Sequence, residues 1–320
     1  MSPHATLDWL GCATFRLTLD RLVVFLDAYV DRAPGAPPTG LAAADIDRAD
    51  WILVGHSHFD HLWGAERIAR RTGATIVGSY ETVRIMAEQG VPEQQLMPVS
   101  GGERVRLSET VTVAVFPSLH SCIWSQARFE QPDQVCLGDL GLSHQERLAR
   151  LATLPARLAN LGDELRAYLR ASNQGDRGDG GALVYRVETP EGSLLYQDTC
   201  GYWTGLLRGL RADVAILAAA GRGNIDGEPV QGSLAGFIAG EVELLQPGRL
   251  ILGHHDDWLP GFSIPTNAAP IRSAVAAVAP RVELAEMGYR AAYPLFAGLP
   301  EARPNLDLAL QQRSMNEPSA

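Results

Sequence analysis

The stretch His56-Ser57-His58-Phe59-Asp60-His61 constrains the fold of this chain most, because it gathers four side chains of metal-binding type within six residues. An apolar run at residues 51–55 precedes it and predicts a buried strand, and apolar residues at helical spacing over residues 62–71 predict a helix. Gly55 is expected to let the backbone turn sharply between the two. The sequence therefore predicts a cluster of metal ligands on a strand-to-helix loop at the end of a sheet.

The spacing within this stretch predicts two metal positions. Alternate side chains of an extended segment project in the same direction, so His56 and His58 are expected to face one position. Asp60 and His61 are then expected to point towards a second position. Neutral imidazole combined with carboxylate suits zinc, and it suits iron or manganese less exclusively.

These residues resemble the signature of the metallo-β-lactamase superfamily. Members of that family carry a third histidine, a bridging aspartate and a final histidine, each after a later strand. His120, Asp198 and His254 follow apolar runs in the same order here, and the resemblance covers about residues 6–290. It implies an α/β fold, a four-layer αββα sandwich in which two mixed sheets are flanked by helices.

The resemblance also implies a ligand set and a cofactor of two Zn²⁺ ions, with iron or manganese as the alternatives. The first ion would be held by His56, His58 and His120, the second by Asp60, His61 and His254, with Asp198 bridging the two. In this arrangement every ligand lies on a loop that follows a strand.

Two adjacent histidines compete for the last ligand position. We expect His254 to be the ligand because it directly follows its strand, whereas His255 is expected to face the substrate or to support a ligand. The segment from His255 to Trp258 resembles the His-x-Asp-x-Phe ending of the superfamily branch that includes ascorbate-6-phosphate lactonase. Asp256 or Asp257 is expected to orient an imidazole.

The N-terminal β-meander adds two candidate residues. In the family, an aspartate at the position of Asp27 braces the metal loop by hydrogen bonding, and a turn residue is the alternative role. Residues 10–15 resemble the Gly-His-Ala-Ser/Thr-Phe opening of the lactonase branch, with Cys12 in place of the histidine often found there. The chain has four cysteines without zinc-finger spacing, so they are expected to be reduced thiols.

Such a site predicts a dinuclear metal-dependent hydrolase. A hydroxide bridging the two metals would attack a small-molecule ester, lactone, amide or phosphodiester. Asp60 is expected to accept or relay the proton, and Asp60, His255 or a water on the second metal to protonate the leaving group. The branch resemblance favours a lactone or a phosphoester. The alternatives are an iron-dependent oxidoreductase on the same fold and a non-catalytic binding protein with a vestigial metal site.

Tryptophans recur close to the candidate ligands. Trp124, Trp203 and Trp258 each come soon after one, so their rings are expected to line the mouth of the site and to contact an apolar portion of the substrate. The alternative is that they fill core between the loops. A glycine-rich segment is expected to bring Arg222 or Asn224 near the substrate, with a simple connecting loop as the alternative.

Residues 125–180 interrupt the strand pattern. Leucines that recur every three to four residues from 148 to 169 predict an amphipathic helix or helix pair, bent near Pro155, and residues 173–181 predict a flexible hinge. We expect an insertion that caps the site or contacts a second subunit, with a helix on the sheet as the alternative. The chain is then a single domain over residues 1–300, followed by a partly disordered polar tail at 301–320.

Composition limits the partners of the protein. The net charge of −10 argues against nucleic acid, which favours a basic face. No apolar run approaches ~18 residues, so no transmembrane helix is expected. The N-terminus lacks a basic segment followed by an apolar one, which predicts no secretory signal. We therefore expect a cytoplasmic protein that acts on a small molecule and is not bound to a membrane, with a homo-oligomer as an open alternative.

Overall fold

A computed structural model describes residues 5–125, 131–153, 161–173 and 178–299. Its strands are β1 (Ala5–Trp9), β2 (Phe15–Leu19), β3 (Leu22–Leu26), β4 (Trp51–Leu53), β5 (Thr75–Gly78), β6 (Leu96–Pro98), β7 (Arg104–Arg106), β8 (Thr112–Pro117), β9 (Leu183–Thr189), β10 (Gly192–Gln197), β11 (Gly201–Tyr202), β12 (Val214–Ala218), β13 (Asn224–Ile225), β14 (Glu228–Pro229), β15 (Arg249–Gly253), β16 (Glu283–Ala285) and β17 (Tyr293–Pro294). Its α-helices are α1 (Phe59–Leu62), α2 (Ala65–Thr72), α3 (Tyr80–Glu88), α4 (His144–Leu151), α5 (Asp163–Ser172), α6 (Thr204–Leu207), α7 (Leu234–Leu245) and α8 (Ala268–Val278).

Most strands belong to two seven-stranded sheets. The first sheet has the order β17-β1-β2-β3-β4-β5-β6 and the second has the order β16-β15-β12-β10-β9-β8-β7. Each begins as an antiparallel meander and continues through parallel strands, so both sheets are mixed. A small third sheet joins β11, β13 and β14.

Three apolar clusters divide the molecule into four layers. The central cluster joins side chains of both large sheets, such as Leu17 and Leu53 of the first and Ile216 of the second. A second cluster joins the first sheet to α2 and α3, as at Ile68. A third joins the second sheet to α7 and α8, as at Phe237. The predicted four-layer αββα sandwich of two mixed sheets flanked by helices is therefore confirmed.

The helix predicted over residues 62–71 is broken in the structure. Helix α1 ends at Leu62 and α2 begins at Ala65. Gly64 lies between them with φ of +129°, and a Cβ there would lie 2.9 Å from the carbonyl oxygen of Ala28. The chain thus makes a corner that only glycine accommodates, and the short α1 carries Asp60 and His61 separately from α2.

The segment predicted as an insertion contains α4 and α5. The side chain of Tyr168 on α5 donates a hydrogen bond to the carbonyl oxygen of Asp31 (2.8 Å), and its ring contacts Phe59 and Trp63. Helix α5 thus packs against the outside of the metal loop, the segment that carries the metal-binding stretch His56–His61. The predicted bend at Pro155 and the tail at 301–320 lie outside the described residues, and the domain boundaries remain a prediction.

The predicted hinge at residues 173–181 is attached to the metal loop in its described part. The backbone N–H of Ser57 donates to the carbonyl oxygen of Asp179 (2.8 Å), and the N–H of Gly178 donates to Glu81 (3.1 Å). The hinge prediction was therefore wrong for residues 178–181, because these backbone bonds fix them. Within the described ranges, the structure contains no helix that is both long and apolar enough to span a membrane.

Candidate metal centre

The ends of several strands meet at one edge of the sandwich. His56 follows β4 by three residues, His120 follows β8, and Asp198 and His254 come directly after β10 and β15. Strands β8, β10 and β15 run in the same direction, because β9 is antiparallel to both β8 and β10, and β12 is parallel to both β10 and β15. Their carboxyl ends therefore lie at the same edge, where open α/β sheets bind their ligands.

Three imidazole rings form the first group of candidate ligands. The ring centroids of His56, His58 and His120 lie 4.6–4.7 Å apart, and their planes are inclined by 74–80°. Burial and the neighbouring imidazoles lower the pKa of His56, and burial followed by the charge of His58 lowers the pKa of His120 to about 3. The rings of His56 and His120 are therefore neutral near pH 7, which is the form that binds metal.

Asp60 and His254 form the centre of a second group. Nε2 of His254 lies 3.2 Å from Oδ2 of Asp60, and Nε2 of His61 lies 3.6 Å from the same oxygen. One ligand atom each from Cys12, Asp60 and His254 falls within 4.8 Å of the others. Burial raises the pKa of the Cys12 thiol. Burial also acts against ionisation of Asp60, but His61 and His254 hold its pKa well below the usual range.

The carboxylate of Asp198 lies between the two groups. Its Oδ2 is 2.6 Å from Nδ1 of His56 and 3.2 Å from Nδ1 of His61. Its Oδ1 is buried and has no hydrogen-bond partner among the described residues. Burial, and then the charge of Asp27, raise the pKa of Asp198. A buried carboxylate oxygen without a partner is costly unless a cation satisfies it, so this residue fits a metal-bridging position.

All seven predicted ligands are thus brought together by the fold. Imidazole nitrogens and carboxylate oxygens are the donors that zinc, iron and manganese take in proteins. The donor set and the unpaired Asp198 oxygen both fit metal ions, and metal binding by these residues remains a prediction.

Asp27 holds the metal loop in place. Its Oδ1 accepts a hydrogen bond from the N–H of Gly55 (2.8 Å), and its Oδ2 lies 2.5 Å from Nδ1 of His61 and accepts one from the hydroxyl of Tyr196 (2.7 Å). Burial alone would lower the pKa of His61, but Asp27 and Asp60 raise it to about 9. Asp27 therefore orients His61 and leaves its Nε2 facing Asp60.

The chain bends at Gly55 as expected, but the bend is not the reason that glycine is needed there. Its φ is not in the left-handed region, so its backbone conformation is open to other residues. A Cβ at this position would instead lie 2.1 Å from Cγ and Oδ2 of Asp198. Glycine is needed here because the carboxylate of Asp198 occupies the space of a side chain.

Replacing Gly55 by Ala is expected to displace Asp198. Overpacking of this kind costs about 1–3 kcal/mol, so urea denaturation should show a lower free energy of unfolding, and metal content should fall with it. Gly205→Ala is the matched control, because its Cβ would meet nothing within 4 Å. Unchanged stability and metal content in Gly55→Ala would contradict this account of the glycine.

The structure separates the roles of the two adjacent histidines. His254 joins the second group, whereas the ring of His255 stacks on Trp9 at a centroid distance of 4.3 Å and an interplanar angle of 8°. Within the described chain, His255 belongs to none of the clusters of ligand atoms. The predicted catalytic role of His255 is therefore not supported by its contacts, which place its ring against an aromatic side chain.

Asp256 does not orient an imidazole as expected. Its Oδ1 accepts a hydrogen bond from the N–H of Cys12 (3.0 Å), and its Oδ2 pairs with Arg32 (2.6 Å) and accepts a hydrogen bond from the hydroxyl of Tyr289 (2.7 Å). Although burial acts in the opposite direction, Arg32 lowers the pKa of Asp256. The carboxylate is thus committed to the loop that carries Cys12.

Arg222 and Asn224 are used to hold loops together. Arg222 donates to the carbonyl oxygens of Cys136 (2.9 Å) and Val230 (3.2 Å). The side-chain N–H of Asn224 donates to the carbonyl oxygen of His120 (2.8 Å). Both side chains are buried, and buried polar groups are normally used in this way. The Asn224 side chain thus supports the loop that carries His120, the Arg222 side chain supports the segments of Cys136 and Val230, and contact of either residue with substrate remains a prediction.

The three predicted pocket tryptophans have different surroundings. Trp258 lies beside the site, with its ring 5.2 Å from that of His254. The ring of Trp124 is covered by the guanidinium of Arg147 at 4.6 Å. Trp203 is 39% exposed and precedes α6. Of these three rings, only that of Trp258 contacts a candidate ligand.

An aromatic wall lies beside the second group, and the sequence analysis singled out only Trp258 among its members. It consists of Tyr29, Phe59, Tyr168, Trp258 and Phe262. Their ring centroids follow one another at 5.8–6.4 Å, and the hydroxyl of Tyr29 donates to the carbonyl oxygen of Trp258 (3.0 Å). Phe59 lies within the metal-binding stretch and Trp258 follows His254 closely, so these two positions were the signals for the wall in the sequence.

Comparison with known proteins supports the resemblance to the metallo-β-lactamase superfamily. Residues 23–140 match a family model described as the β-lactamase superfamily domain. Over 116 residues the chain is 37% identical to a UPF0173 metal-dependent hydrolase of Pyrobaculum calidifontis, covering 36% of this chain and 50% of that one. Over 152 residues it is 35% identical to a similarly named protein of Caldivirga maquilingensis, covering 45% and 64%. The chain spans about half the length of most curated relatives it matches.

Solved structures share the fold over most of the chain. Igni18, described as a novel metallo hydrolase from Ignicoccus hospitalis, has a TM-score of 0.56 at 14% identity, covering 89% of this chain and 95% of that one. CmlA, a diiron β-hydroxylase from Streptomyces venezuelae, has a TM-score of 0.51 at 13% identity, covering 89% and 53%. At these identities the likeness shows the fold alone. The predicted resemblance to the metallo-β-lactamase superfamily is confirmed by the family model over residues 23–140 and by the shared fold, whereas the lactonase branch remains a prediction.

Proposed function

We propose that this protein is a metal-dependent hydrolase with a dinuclear zinc site. The observation that carries the proposal is the convergence of seven nitrogen and oxygen ligand residues in neighbouring clusters, one of which contains Asp198 with its unpaired buried oxygen. The relatives named metal-dependent hydrolases support the same class of activity.

We propose the division of ligands between the two positions that the sequence analysis predicts. His56, His58 and His120 would hold the first ion, Asp60, His61 and His254 the second, and Asp198 would bridge them. Bound there, the ions would supply Lewis acidity and lower the pKa of a bridging water, so that hydroxide is present near neutral pH.

The residues of the chain supply proton transfer and orientation. Asp60 is buried and its carboxylate oxygen faces Nε2 of His254 and Nε2 of His61, which places it to accept or relay a proton. Asp27 fixes the ring of His61, and the Asn224 side chain fixes the backbone of His120. These contacts keep the imidazoles oriented before a substrate binds, which is the preorganisation that catalysis requires.

The aromatic wall supports a substrate with an apolar portion. It lies on the side of His254 and Asp60, and the rings of Phe59, Trp258 and Phe262 are only half-buried. We propose a small-molecule ester, lactone, amide or phosphodiester whose apolar portion rests on these rings. The net charge of −10 favours such a substrate over a nucleic acid.

Replacing Trp258 by Ala is expected to weaken substrate binding. An aromatic contact contributes about 0.5–1.5 kcal/mol, which corresponds to a rise in KM of up to about tenfold for a substrate with an aromatic group. The same replacement at Trp203, which is exposed, should leave KM unchanged. Steady-state kinetics on paired aromatic and methyl esters would measure both. Equal KM values for Trp258→Ala and the unaltered enzyme would remove the aromatic wall from the substrate site.

Metal content is the experiment that tests the function. Protein purified without added metal would be analysed by mass spectrometry and then screened against lactones, esters, amides and phosphodiesters. About two zinc ions per chain with metal-dependent turnover is the expected result. Iron near one per chain, lost on His120→Ala, would favour the oxidoreductase. Absence of metal, with none taken up on reconstitution, would overturn the hydrolase and leave a non-catalytic binding protein.

A further inference from the structure

A cysteine lies in the second group of candidate ligands. Cys12 is on the loop between β1 and β2, far in sequence from the metal-binding stretch. Its sulfur, a carboxylate oxygen of Asp60 and a ring nitrogen of His254 lie within 4.8 Å of one another. Cys12 and Asp60 are buried, and His254 is nearly so. The fold thus aims a sulfur, an oxygen and a nitrogen at one small volume.

The backbone holds Cys12 and His254 together. The N–H of His254 donates to the carbonyl oxygen of Cys12 (2.7 Å), which also accepts a hydrogen bond from the indole N–H of Trp9 (2.9 Å). Both residues have left-handed backbones, with φ of +50° at Cys12 and +57° at His254. Such conformations are strained in residues other than glycine, and they persist where the surroundings impose them, often at functional sites.

Asp256 supplies the support for this arrangement from the other side. It accepts the hydrogen bond of the Cys12 N–H and is itself fixed by Arg32 and Tyr289. The N–H and the carbonyl oxygen of Cys12 therefore both have hydrogen-bond partners. Each partner belongs to the loop after β15 or packs against that loop. This network sets the position of the sulfur relative to His254.

The other cysteines differ in their surroundings. The thiol of Cys200, two residues after Asp198, donates to the carbonyl oxygen of Ala218 (3.0 Å). Among the residues that the structure describes, Cys12 is the one cysteine within a group of candidate ligands.

We propose that Cys12 is a thiolate ligand of the second metal ion, together with Asp60 and His254. This inference rests on the proposed metal-dependent function and assigns it a sulfur ligand. On binding, the S–H bond breaks, a sulfur–metal bond forms, and the proton passes to solvent. A thiolate among nitrogen and oxygen donors selects zinc over manganese and magnesium, so the second position is the more zinc-selective of the two.

Cobalt substitution tests this assignment by a readout independent of activity. Co²⁺ reports its donors by absorption, and a thiolate ligand adds a charge-transfer band in the near ultraviolet to the visible bands of the bound ion. The full chain, stripped of metal and reloaded with Co²⁺, is expected to show this band. It should disappear in Cys12→Ser and Cys12→His, while Cys200→Ser and Cys136→Ser keep it. Cys12→His should retain the visible bands, because imidazole offers a nitrogen donor.

The outcomes separate this inference from the proposed function. Cobalt uptake without the near-ultraviolet band, or a band that persists in Cys12→Ser, would overturn the thiolate ligand and leave the metal site standing. A chain that takes up no cobalt would overturn both. If the Cys12 variants fail to fold, X-ray absorption of the unaltered zinc protein decides: a sulfur scatterer at about 2.3 Å supports the ligand, and donors of nitrogen and oxygen alone exclude it.

Discussion

Replacing His120 by Ala is expected to remove about one metal ion per chain and to lower the rate of hydrolysis by about 10³-fold. Its ring is one of three that face one another at 4.6–4.7 Å in the first group. The two remaining imidazoles would leave that position weakly bound. Loss of one metal removes several kcal/mol of stabilisation of developing charge, and each ~1.4 kcal/mol is a factor of ten in rate.

The measurement pairs metal content with kcat/KM, and His144→Ala is its control. His144 is exposed at the start of α4, so its removal should change neither quantity. Circular dichroism would verify that both variants fold. A His120→Ala protein that keeps both metals and full turnover would show that the first group does not hold a catalytic ion.

The residues that could be predicted are those whose position depends on local chain direction. His120, Asp198 and His254 follow apolar runs that form strands, and a strand end fixes where the next residue lies. The four layers and the ligand set were implied by the resemblance to the metallo-β-lactamase superfamily. Those predictions depend on which strand a residue follows and not on where its side chain points.

Side-chain direction is where the sequence analysis failed. Trp203 and Trp258 stand at similar distances along the chain from a candidate ligand, yet one is exposed and the other contacts His254. The left-handed backbone of His254 interrupts the alternation of an extended strand, so the neighbouring ring of His255 turns to Trp9. No periodicity marks such a residue before the structure is known.

Long-range packing accounts for the rest. Tyr168 reaches Phe59 across more than a hundred residues, and Arg222 is drawn to carbonyl groups because a buried guanidinium needs acceptors. The bend expected at Gly55 is present, but the sequence analysis missed why glycine is needed, because the carboxylate that excludes a Cβ belongs to Asp198, which follows a strand far along the chain.

Replacing Asp27 by Asn is expected to weaken metal binding by about 10–100-fold without removing any ligand. The neutral amide lacks the negative charge that raises the pKa of His61. Its NH₂ group also cannot accept a hydrogen bond, so the bond from either Tyr196 or Gly55 is lost. Outer partners of metal-bound histidines typically contribute affinities of this size. Titration of stripped protein with zinc and a competing chelator would measure the change.

Tyr196→Phe separates the charge of Asp27 from its hydrogen bonds. It removes the hydroxyl that donates to Asp27 and keeps the carboxylate beside His61. A hydrogen bond to a charged carboxylate contributes about 1.5–3 kcal/mol to folding stability, so we expect a lower free energy of unfolding and nearly unchanged zinc affinity. If both variants lose affinity equally, the position of the carboxylate, more than its charge, orients His61. If neither does, the imidazole is oriented without Asp27, and the close contact of the two side chains serves folding alone.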